Sequence, residues 1–235
     1  MNPENNFLYL IWKDPQSRRN YTIGKLSRGD KFFFEYCDEF AEAEKHGWSR
    51  LEVFPENRRY ESETLFSVFS SRLPDRKRRD IDKILKKYGL ESFDEYDLLR
   101  KSGARLPIDT YSFIDPIFPD EETIDREFYV MGVRHHAACQ GNDCALLSES
   151  LRIGDRLTLK RDPDNPHDPN AIRIYTAQKE LLGYVPRYYT AAILERLDKG
   201  LSYDCRVSDI NQALDCAECV KVRLQMPKKD ASESD

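Results

Sequence analysis

Residues 157–187 read LTLKRDPDNPHDPNAIRIYTAQKELLGYVPR. Leu157 and Leu159 alternate with polar residues, as on a half-buried strand, and Ile172 and Ile174 repeat the alternation. The stretch between them is dense in Pro, Asp and Asn. Proline fixes φ, and Asx side chains bond their own backbone, so the connection is built to hold one shape. A plain hairpin needs only about two to five loop residues. This loop is longer and presents a row of polar groups on a stiff frame, which suits a binding loop. Gly183-Tyr184-Val185-Pro186-Arg187 follows, and then a short helix over Tyr188 to Leu197.

The string Arg161-Asp162-Pro163-Asp164-Asn165-Pro166-His167-Asp168-Pro169-Asn170-Ala171-Ile172 resembles the signature loop of the HIRAN domain. That module is found in a helicase-like transcription factor and in many bacterial proteins. Upstream, Gly132-Val133-Arg134-His135-His136 stands where the family has Gly-x-Arg and two aromatic positions. Ser150-Leu151-Arg152-Ile153-Gly154-Asp155 stands where it enters its second strand. The similarity covers roughly residues 128–227, with the barrel module bounded at 125–227. It implies a β-barrel with a short helix and a pocket that grips the 3′ end of single-stranded DNA. By position, it implies DNA contacts at Arg134, His135, His136, Asp164, Asn165, Asp168 and Tyr184. Those residue types suit the task. Arg134 can neutralise a phosphate, and rings can stack on terminal bases. Asn165 can meet a base edge, and Asp168 can accept from a terminal hydroxyl or a base amine. Two positions depart from the family: His135-His136 replaces the aromatic pair, and Asp164 replaces an Asn. A carboxylate close to a phosphate is unfavourable unless a cation intervenes. The same loop can also be read as self-capped through Asp162, Asn165, Asp168 and Asn170, with Asn170 purely structural.

The first 120 residues read as a separate α+β module. Phe7 to Trp12, Tyr21 to Leu26 and Lys31 to Tyr36 are strands of an antiparallel meander, with turns at Asp14-Pro15 and Ser27-Arg28-Gly29-Asp30. Ala41 to Lys45 is a weak helical turn. From Thr64 the period changes, and Leu65, Phe66, Val68, Phe69 and Leu73 share a helical face that ends at Pro74. A second helix spans Arg78 to Tyr88, with Ile81, Ile84, Leu85 and Tyr88 inward and Gly89 as its stop. A third spans Phe93 to Arg100, and Tyr111 to Ile114 is a strand. Pro116, Pro119 and Asp120-Glu121-Glu122 mark a linker. Ile23-Gly24-Lys25-Leu26, Phe32-Phe33-Phe34-Glu35-Tyr36, Arg72-Leu73-Pro74-Asp75 and Ser102-Gly103-Ala104 come in an order similar to the N-terminal subdomain of HipA-type toxin kinases. After Gly103 the chain departs from that family, with Ala104-Arg105-Leu106-Pro107. The resemblance implies a docking module for a HipA-like kinase core or a helix-turn-helix regulator.

Composition limits the function classes. Charged residues are 34%, but hydrophobics at 40% and aromatics at 11% suffice for packed cores. The net charge of −5 is not that of a nonspecific nucleic-acid coat, so any DNA contact must come from placed groups. No apolar run reaches membrane-span length and the start is polar, so the expected location is the cytoplasm, with no membrane partner. Six cysteines without an export signal are expected to be reduced thiols or metal ligands. Cys139, Cys144, Cys216 and Cys219 could form a tetrahedral zinc site, or could be ordinary small apolar residues. Arg72, Arg76, Lys77, Arg78, Arg79, Lys83, Lys86 and Lys87 cluster around Pro74; they could touch phosphate or form a solvated face. No phosphate-covering Gly-rich loop, nucleophile signature or carboxylate pair is present, so the chain is expected not to be an enzyme and to need no cofactor. Residues 228–235 read as a frayed tail. The resulting expectation is a DNA-binding adaptor of a toxin–antitoxin or defence system, or else an antitoxin that restrains a kinase without using DNA.

Overall fold

The computed structural model describes residues 6–119, 121–136, 151–166, 168–211 and 218–226. The chain is α+β, its sheets are antiparallel, and it divides into two compact units, Met1–Pro116 and Ile117–Asp235. Among the described residues no helix is long and apolar enough to cross a membrane.

The first unit holds β1 (Phe7–Lys13), β2 (Asn20–Arg28), β3 (Phe32–Tyr36), α1 (Phe40–Lys45), β4 (Tyr60–Ser62), α2 (Ser67–Ser70), α3 (Ile81–Lys87), α4 (Glu95–Ser102) and β5 (Tyr111–Ile114). The sheet order is β4-β3-β2-β1-β5. The buried carboxylate of Asp14 accepts from the Gln16 amide at 2.9 Å and from the Ser17 hydroxyl, which fixes the first turn. Gly24 is glycine because the Phe34 ring lies against its Cα; an added Cβ would meet Phe34 Cε2 at 2.6 Å. Phe34 is fully buried and stacks on Phe54 at 4.4 Å, with Phe69 at 5.4 Å. Asp94 caps α4 by accepting from the Asp97 amide at 2.9 Å, and grips Arg28 through two bonds of 2.7 and 2.8 Å. Gly103, at φ 69°, ends α4 in the left-handed region.

Three expectations for this unit need correction. The helix expected from Thr64 to Leu73 shrinks to Ser67–Ser70. Its three serines are weak helix formers, and Phe66 is extended at ψ 134°. The helix expected from Arg78 begins only at Ile81, because Arg78 turns back onto the Asp80 carboxylate in the preceding turn. Arg72 does not belong to a basic face. Its side chain is 8% exposed and bonds the Ala104 carbonyl at 3.0 Å and both Asp109 oxygens at 2.6 and 2.9 Å.

The second unit holds β6 (Ile124–Tyr129), α5 (Val133–His136), β7 (Thr158–Arg161), β8 (Ile172–Tyr175), β9 (Leu181–Tyr184), α6 (Arg187–Asp198), β10 (Asp204–Ile210) and β11 (Val220–Met226). They form two three-stranded sheets, β10-β11-β6 and β7-β8-β9. Both pairs of sheet edges are stitched together. On one side Met131 and Tyr184 exchange bonds of 2.9 and 2.8 Å. On the other, Gly154 donates to Val207, Leu157 to Cys205 and Val207 to Asp155, at 2.8 to 3.0 Å. Six strands therefore run round a barrel-like ring over a core that includes Ile172, Ile174, Leu182, Val222 and Leu224. The α6 helix packs on this core through Tyr189, whose ring lies 5.7 Å from Phe128. Arg196 on α6 is buried and donates to the carbonyls of Phe118 and Glu121 at 2.9 and 2.8 Å, which holds the entering segment in this unit.

Candidate nucleic-acid interface

The loop from Asp162 to Ala171 is closed by its own chemistry. Asp162 N donates to Ala171 O at 2.8 Å, and Asn165 N to Asp162 O at 3.2 Å. The Asn165 amide works in both directions: its Nδ2 donates to Asp162 Oδ2, and its Oδ1 accepts from Asp168 N, each at 3.2 Å. Asp168 Oδ1 then accepts from the Asn170 amide at 2.9 Å. Asn165 and Asp168, expected to contact a base and a terminal hydroxyl, thus hold the loop's shape. Asp164 stands exposed on the same loop. His167 lies outside the described residues.

Asp162 is the hub of the site. It is 4% exposed, and its carboxylate accepts from Arg173 Nη2 at 2.8 Å, from Asn165 and from the Tyr184 hydroxyl at 3.3 Å. Burial alone would raise its pKa; the donors from Asn165, Arg173 and Tyr184 outweigh that and hold it below the usual carboxylate value. The nearby hydroxyls of Tyr175 and Tyr184 and the Asp162 carboxylate raise the Arg173 pKa above its ordinary value. The sequence reading took Asp162 only as a cap of the loop and did not single out Arg173. The signal for Arg173 was available: it occupies the outward position between two buried isoleucines on β8.

The other wall comes from α5. Arg134, His135 and His136 form one helical turn just after β6. Gly132, at φ 76°, breaks the strand, and His135 N closes the turn on Gly132 O at 2.9 Å. All three side chains are exposed. Arg134 Nε donates to His135 Nε2 at 3.1 Å, so that nitrogen of His135 acts as acceptor. The His136 ring lies 5.6 Å from the Tyr184 ring at 58°. Burial first, then the charges of His135 and Arg173, lower the His136 pKa below 6.5.

Gly183 makes this junction possible. An added Cβ would collide with the Met131 carbonyl oxygen and lie 2.7 Å from Val130 Cγ1. Glycine lets β9 approach Met131 closely enough to place the Tyr184 ring beside α5. The structure thus brings His136 and Tyr184 together over the Asp162–Arg173 pair, with Arg134 and His135 on the same turn. Of the zinc candidates, Cys139, Cys144 and Cys216 lie outside the described residues, and Cys219 is buried just before β11. Among the described residues no group of three or more His, Cys, Asp or Glu is placed to hold a metal ion.

Residues 125–225 match the family model of the HIRAN domain, and residues 18–107 match that of the HipA N-terminal domain. Both resemblances drawn from the sequence therefore hold. Among solved structures the chain is similar to the HIRAN domain of human HLTF, at 17% identity over 46% of this chain and 82% of that one, with a TM-score of 0.35. It is also similar to a protein from Lactobacillus plantarum, at 24% identity over 46% and 99%, with a TM-score of 0.35. A third similar structure is the HLTF HIRAN domain in its DNA-bound conformation, at 20% identity over 48% and 87%, with a TM-score of 0.32. No curated protein matches the chain.

Proposed function

We propose that this chain is a non-catalytic adaptor, with the second unit binding single-stranded DNA at a 3′ end and the first unit docking on a HipA-like kinase. The match of 125–225 to the HIRAN domain supports the DNA half, and the match of 18–107 to the HipA N-terminal domain supports the kinase half. One observation carries the DNA reading: the Tyr184 ring is pinned through its hydroxyl to a buried carboxylate and faces His136, beside the exposed Arg134. Fixed rings next to an exposed cation are what a strand end needs, since bases stack and the phosphate is neutralised. Arg134 supplies the phosphate contact, His136 and Tyr184 the stacking surface, and Asn165 and Asp168 the rigid loop behind them.

Arg134→Ala tests the assignment. Binding of a labelled single strand is expected to weaken about tenfold, and its salt slope to flatten by about 0.7, the loss of one phosphate contact. Capture of a HipA-like kinase core by the same variant is expected to be unchanged. An Arg134→Ala variant with the parent's affinity and salt slope would remove the phosphate role. No DNA binding in the parent would leave a protein-only adaptor.

His136 adds a pH dependence. In the free protein its folded pKa lies below the unfolded value of about 6.5, so folding loses stability as pH falls through that value. A phosphate placed beside the ring reverses the preference and raises its pKa. Binding then takes up a proton, and affinity rises as pH falls from about 7.5 towards 6, with a slope of up to about one log unit per pH unit. His136→Phe keeps a ring and is expected to lose the slope. The same slope in His136→Phe would show that another group titrates.

A further inference from the structure

We propose that the outer face of β7, β8 and β9 carries the body of the bound single strand, with Lys160 and Tyr175 as contacts beyond the end-gripping cluster. The proposal rests on the DNA reading above and extends the site away from the strand end. Lys160 pairs directly with Arg173, Arg173 with Tyr184, and Tyr184 with Met131. Directly paired residues project from the same face of a sheet. A straight row therefore crosses β7, β8 and β9 and ends at the Met131 bridge, over roughly 14 Å at about 4.8 Å per step. The opposite face of the same strands, at Leu159, Ile172, Ile174 and Leu182, is buried in the core.

Tyr175 stands beside the row, two residues from Arg173 on the same outward face of β8 and opposite Thr158. The face thus sets the rings of His136, Tyr184 and Tyr175 beside the cations of Arg173 and Lys160. Grooves that hold single strands without reading sequence combine these two elements, rings for stacking and cations along the backbone. A duplex keeps its bases paired inside, so the rings would have nothing to stack on; the arrangement favours a single strand.

Charge gives the direction. The carboxylate under the row, Asp162, is already neutralised by Arg173 at 2.8 Å. Lys160 is exposed and has no ion pair among the described residues. Asp164 and Asp168 sit on the loop to one side, where a phosphate would be repelled. A strand whose end lies at His136 and Tyr184 therefore runs across the sheet towards Lys160, not along the loop.

The test uses the full chain and two labelled oligothymidylates with free 3′ ends, one of about three nucleotides and one of about twelve. Lys160→Ala is expected to weaken the long strand several-fold and to flatten its salt slope by about 0.7. Tyr175→Leu is expected to weaken it roughly tenfold, and Tyr175→Phe to restore the parent value. The short strand and the preference for a free over a blocked 3′ end are expected to be unchanged in all three variants. Unfolding midpoints matching the parent establish that each variant is folded. The path across the sheet is overturned if the parent prefers free ends but Lys160→Ala and Tyr175→Leu bind the long strand as the parent does. A parent with no free-end preference overturns the end reading, and this proposal with it. Displacement of the long strand by polyglutamate as readily as by unlabelled oligothymidylate would assign the face to an acidic protein instead.

Discussion

Gly183→Val is expected to cost roughly 3 kcal/mol or more of stability and to abolish DNA binding. The reason is local. The two sheets of the second unit meet at a pair of bonds between Met131 and Tyr184, and Gly183 sits against that seam. A Cβ there would overlap the Met131 carbonyl oxygen and lie 2.7 Å from Val130 Cγ1. The first obstacle is backbone, which cannot swing away as a flexible side chain can. Relief requires β9 to withdraw from Met131, which breaks both bonds. Tyr184 then moves off His136, and its hydroxyl leaves Asp162. Urea unfolding with a tyrosine signal measures the loss, and a titration with a single strand measures binding. A valine variant as stable as the parent would show that this seam does not hold the unit together.

Phe34→Ala in the first unit is expected to cost roughly 3–5 kcal/mol. Phe34 is fully buried, stacks on Phe54 at 4.4 Å, and meets Phe69 at 5.4 Å and Tyr36 at 5.3 Å. Its ring also fills the space that Gly24 leaves open on β2. Removing the ring leaves a cavity lined by other rings, which are too rigid to collapse into it. Chemical denaturation of the parent and variant gives the difference directly. A loss under about 1 kcal/mol would mean that the aromatic cluster repacks, against the account of why Gly24 stands where it does.

Much of the first unit was legible because its signals are local. The Asp14 turn and the Gly89 stop each depend on a few neighbouring residues, and each is found where the sequence placed it. The short β4 was not read, since Tyr60–Ser62 gains strand character only by pairing with β3. The length of α2 was misjudged for a similar reason: Arg72 is drawn inward by Asp109 and Ala104, which lie far along the chain. In the second unit the polar loop declared itself through its prolines and Asx residues. Its hub did not. Asp162 and Tyr184 are 22 residues apart, and only the register of β7, β8 and β9 brings them together with Arg173. That Arg134, His135 and His136 form a helical turn was not read, because a glycine does not disclose the sign of its φ. β11 was legible in principle, since Val220, Val222, Leu224 and Met226 alternate without a break.

The central claim is that the cluster of Arg134, His136 and Tyr184 receives the 3′ end of a single strand. The most direct measurement titrates the full chain with one labelled single strand bearing either a free 3′ hydroxyl or a blocked 3′ end, at fixed salt. The account predicts binding at least about tenfold tighter to the free end, a difference of about 1.4 kcal/mol. Equal, weak and salt-insensitive binding to both strands would contradict it.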